Sequence, residues 1–384
     1  MDFTQFFRLN HKFKQSLTES APFFYAKSDP TTAPLDYFTD ALMLLTAAEP
    51  IDETPWKAAL INARKSVNDK SPNEVFVDIY LNQNTVVKEA PYYRYWHGYL
   101  IYLKPLLLCF NHTQICNLLG SIQLLLLFLV VSQAKIHARF IYAVIAAWIF
   151  LNPVTTMTSL QYSTVWIITL LFLIVIFRYS EIWNETIWRL IFFIFGCMTS
   201  YFDLLTYPIV AMGIPLVTLI CLSRENTILK SVKYFITLVL FWFTGYTSLW
   251  TCKWLLGSIV LNENLFQDAI SEFLLWNGVF GKKTLDYHLL SVFYENIKWA
   301  LQPGIYILTG LTFLLLLYTI GRRNFGKRKD LLVICFMTSL FPFAVYVAAR
   351  NHSMVHGWFT YRNLAVFYYA INIYFLSVLE LREH

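Results

Sequence analysis

Charge is what this sequence has least of. Asp, Glu, Lys and Arg make up 14% of it, against about a quarter in soluble domains, while 57% is hydrophobic. A soluble enzyme of this length is therefore excluded, and an all-α membrane protein is the class that remains. A long basic face is missing too. The net charge of +6 is scattered over short connectors and forms no nucleic-acid face. None of the six cysteines stands in a C-x-x-C spacing, and all lie in apolar stretches, where they read as packing residues. No P-loop, G-x-G-x-x-G, nucleophile elbow or haem motif occurs, so no organic cofactor is indicated. The opening MDFTQFFRLNHKFKQSLTES lacks the continuous apolar core of a cleavable signal peptide.

What the chain does have is apolar runs and many aromatics, 33 Phe, 24 Tyr and 12 Trp in all. A span needs about 20 predominantly apolar residues. Runs near 115–133, 139–156, 160–178, 187–202, 204–222, 233–256, 303–320, 331–349 and 363–379 predict about nine crossings. Half of the 24 acidic residues fall before residue 98, so residues 1–110 read as a helical or interfacial segment and 111–384 as a helix bundle with a long loop at 257–302. Helical spacing is predicted over 36–48 and 54–66, an interfacial helix within 92–110, and another from Asn264 to Trp276.

Basic residues fall in alternate connectors, at Lys135 and Arg139, Arg178 and Arg189, Arg224 to Lys233, and Arg322 to Lys329. Those connectors are assigned to the cytoplasm, together with the C-terminus. The N-terminal segment and the loops around Gln161, Asp203, 257–302 and 350–362 are then extracytoplasmic at a cell membrane. Export of the N-terminal segment needs an initiating signal, so a further helix is expected upstream of Met1, giving about ten spans.

With this sidedness, most conspicuous ionisable residues share one face. Ionisable groups near membrane depth are costly and mark candidate sites. Asp36 and Asp40, four apart, share a helical face and can act as a general base with its modulator or as cation ligands; alternatively Asp36 caps the helix. His352 and His356 have a spacing that binds Zn2+ in some sites, with His97 able to approach. Yet no H-E-x-x-H occurs, and Arg350 and Arg362 would repel a cation. Arg94, His97, Arg350, His352, His356 and Arg362 fit phosphate better, because guanidinium forks match phosphate oxygens; interfacial anchoring is the plainer alternative. Asp203, between two apolar runs, either pairs with an outer arginine or faces a polar cavity.

An acidic first outer segment, a many-span bundle and a basic, aromatic outer rim together resemble the GT-C superfamily of membrane glycosyltransferases. More narrowly, LDYFTDALML, YYRYWHGYL, TSYFDLLTYP and RNHSMVHGWFTYR are similar to motifs of bacterial multi-pass membrane proteins, a likeness running from about Asp36 to Arg362. The resemblance implies an outer-face site and transfer of a sugar from a polyprenyl-phosphate-linked donor to a glycan or lipid acceptor of the cell envelope. It places the catalytic carboxylate on Asp40 or Asp36, with Arg94, His97, Arg350, His356 and Arg362 at the donor phosphate; a divalent cation is compatible with it. The chain departs from that pattern in having D-x-x-x-D instead of adjacent acids, and no helix before the first loop. A transporter of lipid-linked saccharide and a non-catalytic subunit of an envelope-synthesis complex are the alternatives.

Overall fold

In hydrocarbon every backbone N–H and C=O must be satisfied within the protein, so apolar runs of this length become helices. A computed structural model describes residues 11–25, 37–49, 54–82, 88–134, 138–223, 227–277, 287–301, 303–321 and 328–380. The N-terminal part contains α1 (His11–Tyr25), α2 (Tyr37–Ala48), α3 (Pro55–Ile61), α4 (Pro72–Val77) and α5 (Leu100–Leu106). A short antiparallel ribbon pairs β1 (Arg64–Ser66) with β2 (Lys88–Ala90). The helix predicted over 54–66 stops at Ile61 because Asn62 turns left-handed at φ 46°, and the chain then enters the ribbon. The expected interfacial helix is also shorter, since 92–99 is a turn.

In the remainder helices are the regular elements among the described residues: α6 (His112–Gln133), α7 (Ala138–Phe150), α8 (Pro153–Thr158), α9 (Leu160–Tyr179), α10 (Glu185–Phe202), α11 (Val210–Leu222) and α12 (Ile228–Leu261). After these come α13 (Leu265–Asn277), α14 (Leu289–Ala300), α15 (Pro303–Gly321), α16 (Lys329–Ser339), α17 (Phe341–Ala348), α18 (Arg350–Val355), α19 (Gly357–Thr360) and α20 (Leu364–Glu380). Among the described residues five stretches are long and apolar enough to cross a membrane: His112–Gln133, Leu160–Tyr179, Ile228–Leu261, Lys329–Ala348 and Gly357–Leu379. A sixth is formed if Leu289–Ala300 and Ile305–Ile320, bent by 99°, count as one.

This is fewer than the nine runs suggest, for local reasons. The Asn152-Pro153 step ends α7 at 13 residues, and the turn around Asp203 delays α11 until Val210, leaving it 13 residues long as well. At 1.5 Å per residue each is about 20 Å, short of a core of about 30 Å. The basic positions Lys135, Arg224 and 322–327 lie outside the described residues.

The chain is a membrane-embedded helical protein. Its apolar windows in α9 and from α19 through α20 are 72% and 78% buried, whereas that of α12 is only 28% buried. Phe128, Phe243, Ile259, Ile307 and Leu314 stand on the outside at more than half exposure, a surface that water would not tolerate but lipid matches. Two buried clusters share the interior. One joins α1, α2 and α4 to the start of α6, and the larger one fills the bundle from Val130 to Val378.

The crossing of α10 and α12 depends on two glycines. A Cβ at Gly196 would lie 2.1 Å from the Trp242 carbonyl oxygen, and one at Gly245 would lie 2.1 Å from that of Phe193. Each glycine thus admits the other helix's backbone. Gly245→Leu is expected to force the pair apart and cost roughly 3 kcal/mol, read as a lower unfolding midpoint in detergent; an unchanged midpoint would show that the crossing is not held at this contact.

Candidate functional site

Four segments meet around Asp203. This residue ends α10, and its carboxylate accepts hydrogen bonds from the backbone N–H of Thr206, at 3.2 and 3.1 Å to its two oxygens, and from the Thr206 hydroxyl. The turn is completed by Leu205 at φ 62°, an uncommon conformation for a leucine, which aims its carbonyl at His352 Nε2, 3.3 Å away. On the other side the 92–97 turn is pinned to α12, where Trp96 Nε1 donates to the Leu249 carbonyl at 2.7 Å and Trp254 Nε1 to that of Arg94 at 3.3 Å. The pin places Tyr95 where its hydroxyl senses the charges of Asp203 and Glu272.

The helix α13 bridges these parts. Its Glu272 and Asp268 lie 3.1 and 3.7 Å from the Arg94 guanidinium. Its Trp276 packs on both His352 and His356 with ring centroids 5.5 Å apart in each case. Asn351 Nδ2 donates to the Leu275 carbonyl at 2.8 Å, docking α18 on the same helix. Arg94, Asp203, His352 and His356 are thereby gathered in one neighbourhood, and Arg350 opens α18 beside it.

Electrostatics differ among these groups. Asp203 is 3% exposed, and burial raises its carboxyl to about 6 against the partial offset of the Thr206 donors. No cationic nitrogen lies within 4.0 Å of it among the described residues, so the outer-arginine pairing is not formed. Burial lowers His352 to about 3, with His356 beside it adding to the effect, and burial lowers His356 to about 4. Both rings are neutral at physiological pH and offer hydrogen bonds without charge. His97, at φ 54°, sits apart in the interior against the Tyr99 hydroxyl at 2.9 Å and the Tyr92 carbonyl at 3.2 Å; burial and then Lys253 hold it well below its usual range. The side-chain atoms Tyr246 OH, Ser200 Oγ and His356 Nδ1 are buried without a hydrogen-bond partner among the described residues. Tyr246 is also close enough to Asp203 to sense its charge. Such atoms call for a polar companion.

Arg362 is placed differently. At 1% exposure it donates to the carbonyls of Leu151 (3.1 Å) and Trp358 (3.0 Å) and to Thr155 Oγ1 (2.7 Å), with its guanidinium carbon 4.0 Å from the Tyr162 ring centroid and 4.9 Å from that of Tyr361. It ties α7 and α8 to the segment that leads into α20. Tyr207, one turn beyond Asp203, senses both the Arg362 and Asp203 charges.

Asp40 is likewise engaged. One carboxylate oxygen accepts from Ser159 Oγ (2.9 Å) and Gln161 N (3.0 Å), and the other from Leu160 N (2.9 Å), with His112 Nε2 also at 2.9 Å. The start of α9 has no cap of its own, since Ser159 makes no side-chain capping bond, and Asp40 supplies the missing acceptor to the helix's positive end. Asp36 lies outside the described residues. The donor atoms of Asp40, His112 and Cys116 lie within 4.8 Å of one another and make the one metal-competent cluster among the described residues.

Sequence reasoning passed over His112, Cys116, Tyr95 and Trp276 as site residues. Glu272 and Asp268 were visible only as acids interrupting an apolar pattern, and their pairing with Arg94 across more than 170 positions has no local signal. Compared with protein-family models, curated proteins and solved structures, the chain matches none.

Proposed function

We propose that the chain transfers a sugar from a polyprenyl-phosphate-linked donor to an envelope glycan or lipid at the extracytoplasmic face of a cell membrane, with Asp203 as the general base. The observation that carries this reading is the meeting of a buried carboxylate, without a cationic partner among the described residues, with Arg94, Tyr95 and the α18 histidines at one neighbourhood of a membrane-embedded bundle. A carboxyl near 6 is ionised at neutral pH yet basic enough to take a hydroxyl proton. In this reaction the acceptor oxygen attacks the anomeric carbon, its proton passes to Asp203, and the bond to phosphate breaks with its electron pair leaving on polyprenyl phosphate. Arg94 and Arg350 supply cationic charge for that phosphate, and His352 and His356 hydrogen-bond as neutral rings. Asp40 and Arg362 hold the scaffold in which this happens. The reading carries with it the nine-crossing topology, in which α7, α10 and α11 also traverse the bilayer and the 92–97, 203–207 and 350–362 segments face outward.

Purified full-length protein in liposomes, supplied with a panel of polyprenyl-phosphate sugars and labelled envelope acceptors, tests the proposal. Donor consumption with release of polyprenyl phosphate is expected, with Arg94→Gln raising KM for the donor about tenfold or more. Movement of intact donor between leaflets without cleavage would replace the enzyme by a transporter, and an untouched donor in every combination would remove the proposal.

A further inference from the structure

The strongest unassigned chemistry in the molecule lies away from Asp203, where α2, α6 and the start of α9 meet. His112 and Cys116, four apart on α6, present Nε2 and Sγ on one face, and Asp40 of α2 points a carboxylate oxygen at the same spot. Nε2 lies 2.9 Å from Asp40 Oδ2 and 3.6 Å from Cys116 Sγ. All three residues are at most 2% exposed. We propose that Asp40, His112 and Cys116 bind a Zn2+-class divalent ion that fastens the N-terminal helices to the membrane bundle.

Three observations point to an ion. The first is spacing: two ligands bonded tetrahedrally to Zn2+ at about 2.0–2.3 Å stand about 3.3–3.6 Å apart. The sulfur–nitrogen separation fits as it stands, and the nitrogen–oxygen pair opens by a few tenths of an ångström. The second is the ring's own hydrogen bonding. Phe23 and Phe24 pack against the imidazole with centroids 4.5 and 5.1 Å away, and its Nδ1 has no hydrogen-bond partner among the described residues. The ring's polar contacts therefore rest on Nε2, which carries either a proton or a lone pair and cannot serve a carboxylate and a thiol equally. A cation at that point satisfies all three groups.

The third is the support behind Asp40. Leu160 N donates to the oxygen that faces His112, while Ser159 Oγ and Gln161 N hold the other oxygen. Such outer hydrogen bonds orient a ligating carboxylate. Charge also balances, because one carboxylate, one thiolate and a neutral imidazole cancel the ion, as burial requires. Coordination replaces the Cys116 thiol proton, which leaves to solvent as the ion enters during folding. The mix of nitrogen, oxygen and sulfur donors favours Zn2+ over Mg2+ or Ca2+, which take oxygen ligands.

The full-length protein, purified in detergent without chelator, is expected to carry one zinc per chain by elemental analysis. Exchange with Co2+ alone should produce a thiolate-to-cobalt charge-transfer band in the near ultraviolet. Cys116→Ser should abolish that band and weaken zinc binding at least tenfold, whereas Cys335→Ser, in α16, should retain both. X-ray absorption at the zinc edge of the wild-type protein gives a variant-independent reading, with one sulfur expected in the first shell. Folded wild-type protein without zinc or cobalt binding would leave a hydrogen-bonded cluster only and overturn the proposal. A sulfur-free shell, or a band that survives Cys116→Ser, would overturn it equally. None of these readouts depends on sugar transfer.

Discussion

Asp40→Ala is expected to lower the unfolding midpoint of the detergent-solubilised protein by roughly 5–10 °C, corresponding to about 4 kcal/mol. The substitution removes an acceptor that serves Ser159 Oγ, Leu160 N and Gln161 N and also faces His112 Nε2, all in the interior. Each buried donor left without a partner costs about 1–3 kcal/mol, and partial relaxation keeps the total below the sum. Asp40→Asn retains one acceptor oxygen but turns an NH2 group towards donors, so a smaller loss of about 2 kcal/mol is expected. Reaction of the buried thiols Cys116, Cys221 and Cys335 with a fluorogenic maleimide reports the transition, because these thiols become accessible only on unfolding. An Asp40→Asn protein as stable as the wild type but inactive would return the catalytic role to Asp40.

Asp203→Asn should do the opposite to stability. With its carboxyl raised from 3.8 to about 6, the folded chain holds this proton more tightly than the unfolded chain does. The group's favourable contribution is therefore complete below about pH 4 and is lost as pH rises through 6. At neutral pH the buried charge then costs the fold about 2–3 kcal/mol. Asparagine removes that charge and keeps an oxygen for the Thr206 donors, so the variant is expected to melt higher than the wild type at pH 7.5. The advantage should shrink to nothing as pH falls to 4. Transfer activity should meanwhile drop about 10²–10⁴-fold, and the wild-type rate should rise with pH through a limb near 6. A variant that is both active and no more stable would dismiss Asp203 as the base.

The helical, membrane-embedded character was readable from composition and runs because hydrocarbon leaves the backbone few alternatives. Element ends were less readable. The 204–222 run begins as helix only at Val210, because Asp203 caps a turn and Pro208 follows it, while α12 continues to Leu261, beyond the apolar run's apparent end at 256. The helix α1 was missed, since its apolar positions are interleaved with polar ones and with Pro22. Within the candidate site, the sequence marks which residues are unusual but not which are free to react. Asp40, Asp203 and Arg362 look equally conspicuous as letters. Asp40 and Arg362 spend their hydrogen bonds on a helix start and on carbonyls of distant segments, whereas Asp203 caps only its own turn and is raised to about 6 by burial. His112 was passed over because its partner is 72 positions away, and helical periodicity carries no information at that range.

The Asp40 clasp also sets an order of assembly. The carboxylate leaves the ribosome about 120 residues before the amides it binds, so the N-terminal helices cannot close on the bundle while the first spans are being inserted. They must wait, with an anion exposed, until α9 arrives, and closing so long a loop costs entropy that local helix formation does not recover. The helix that carries Asp40 is thus completed only after α6, α7 and α8 have been made, and in that interval it is open to proteases and to mispairing.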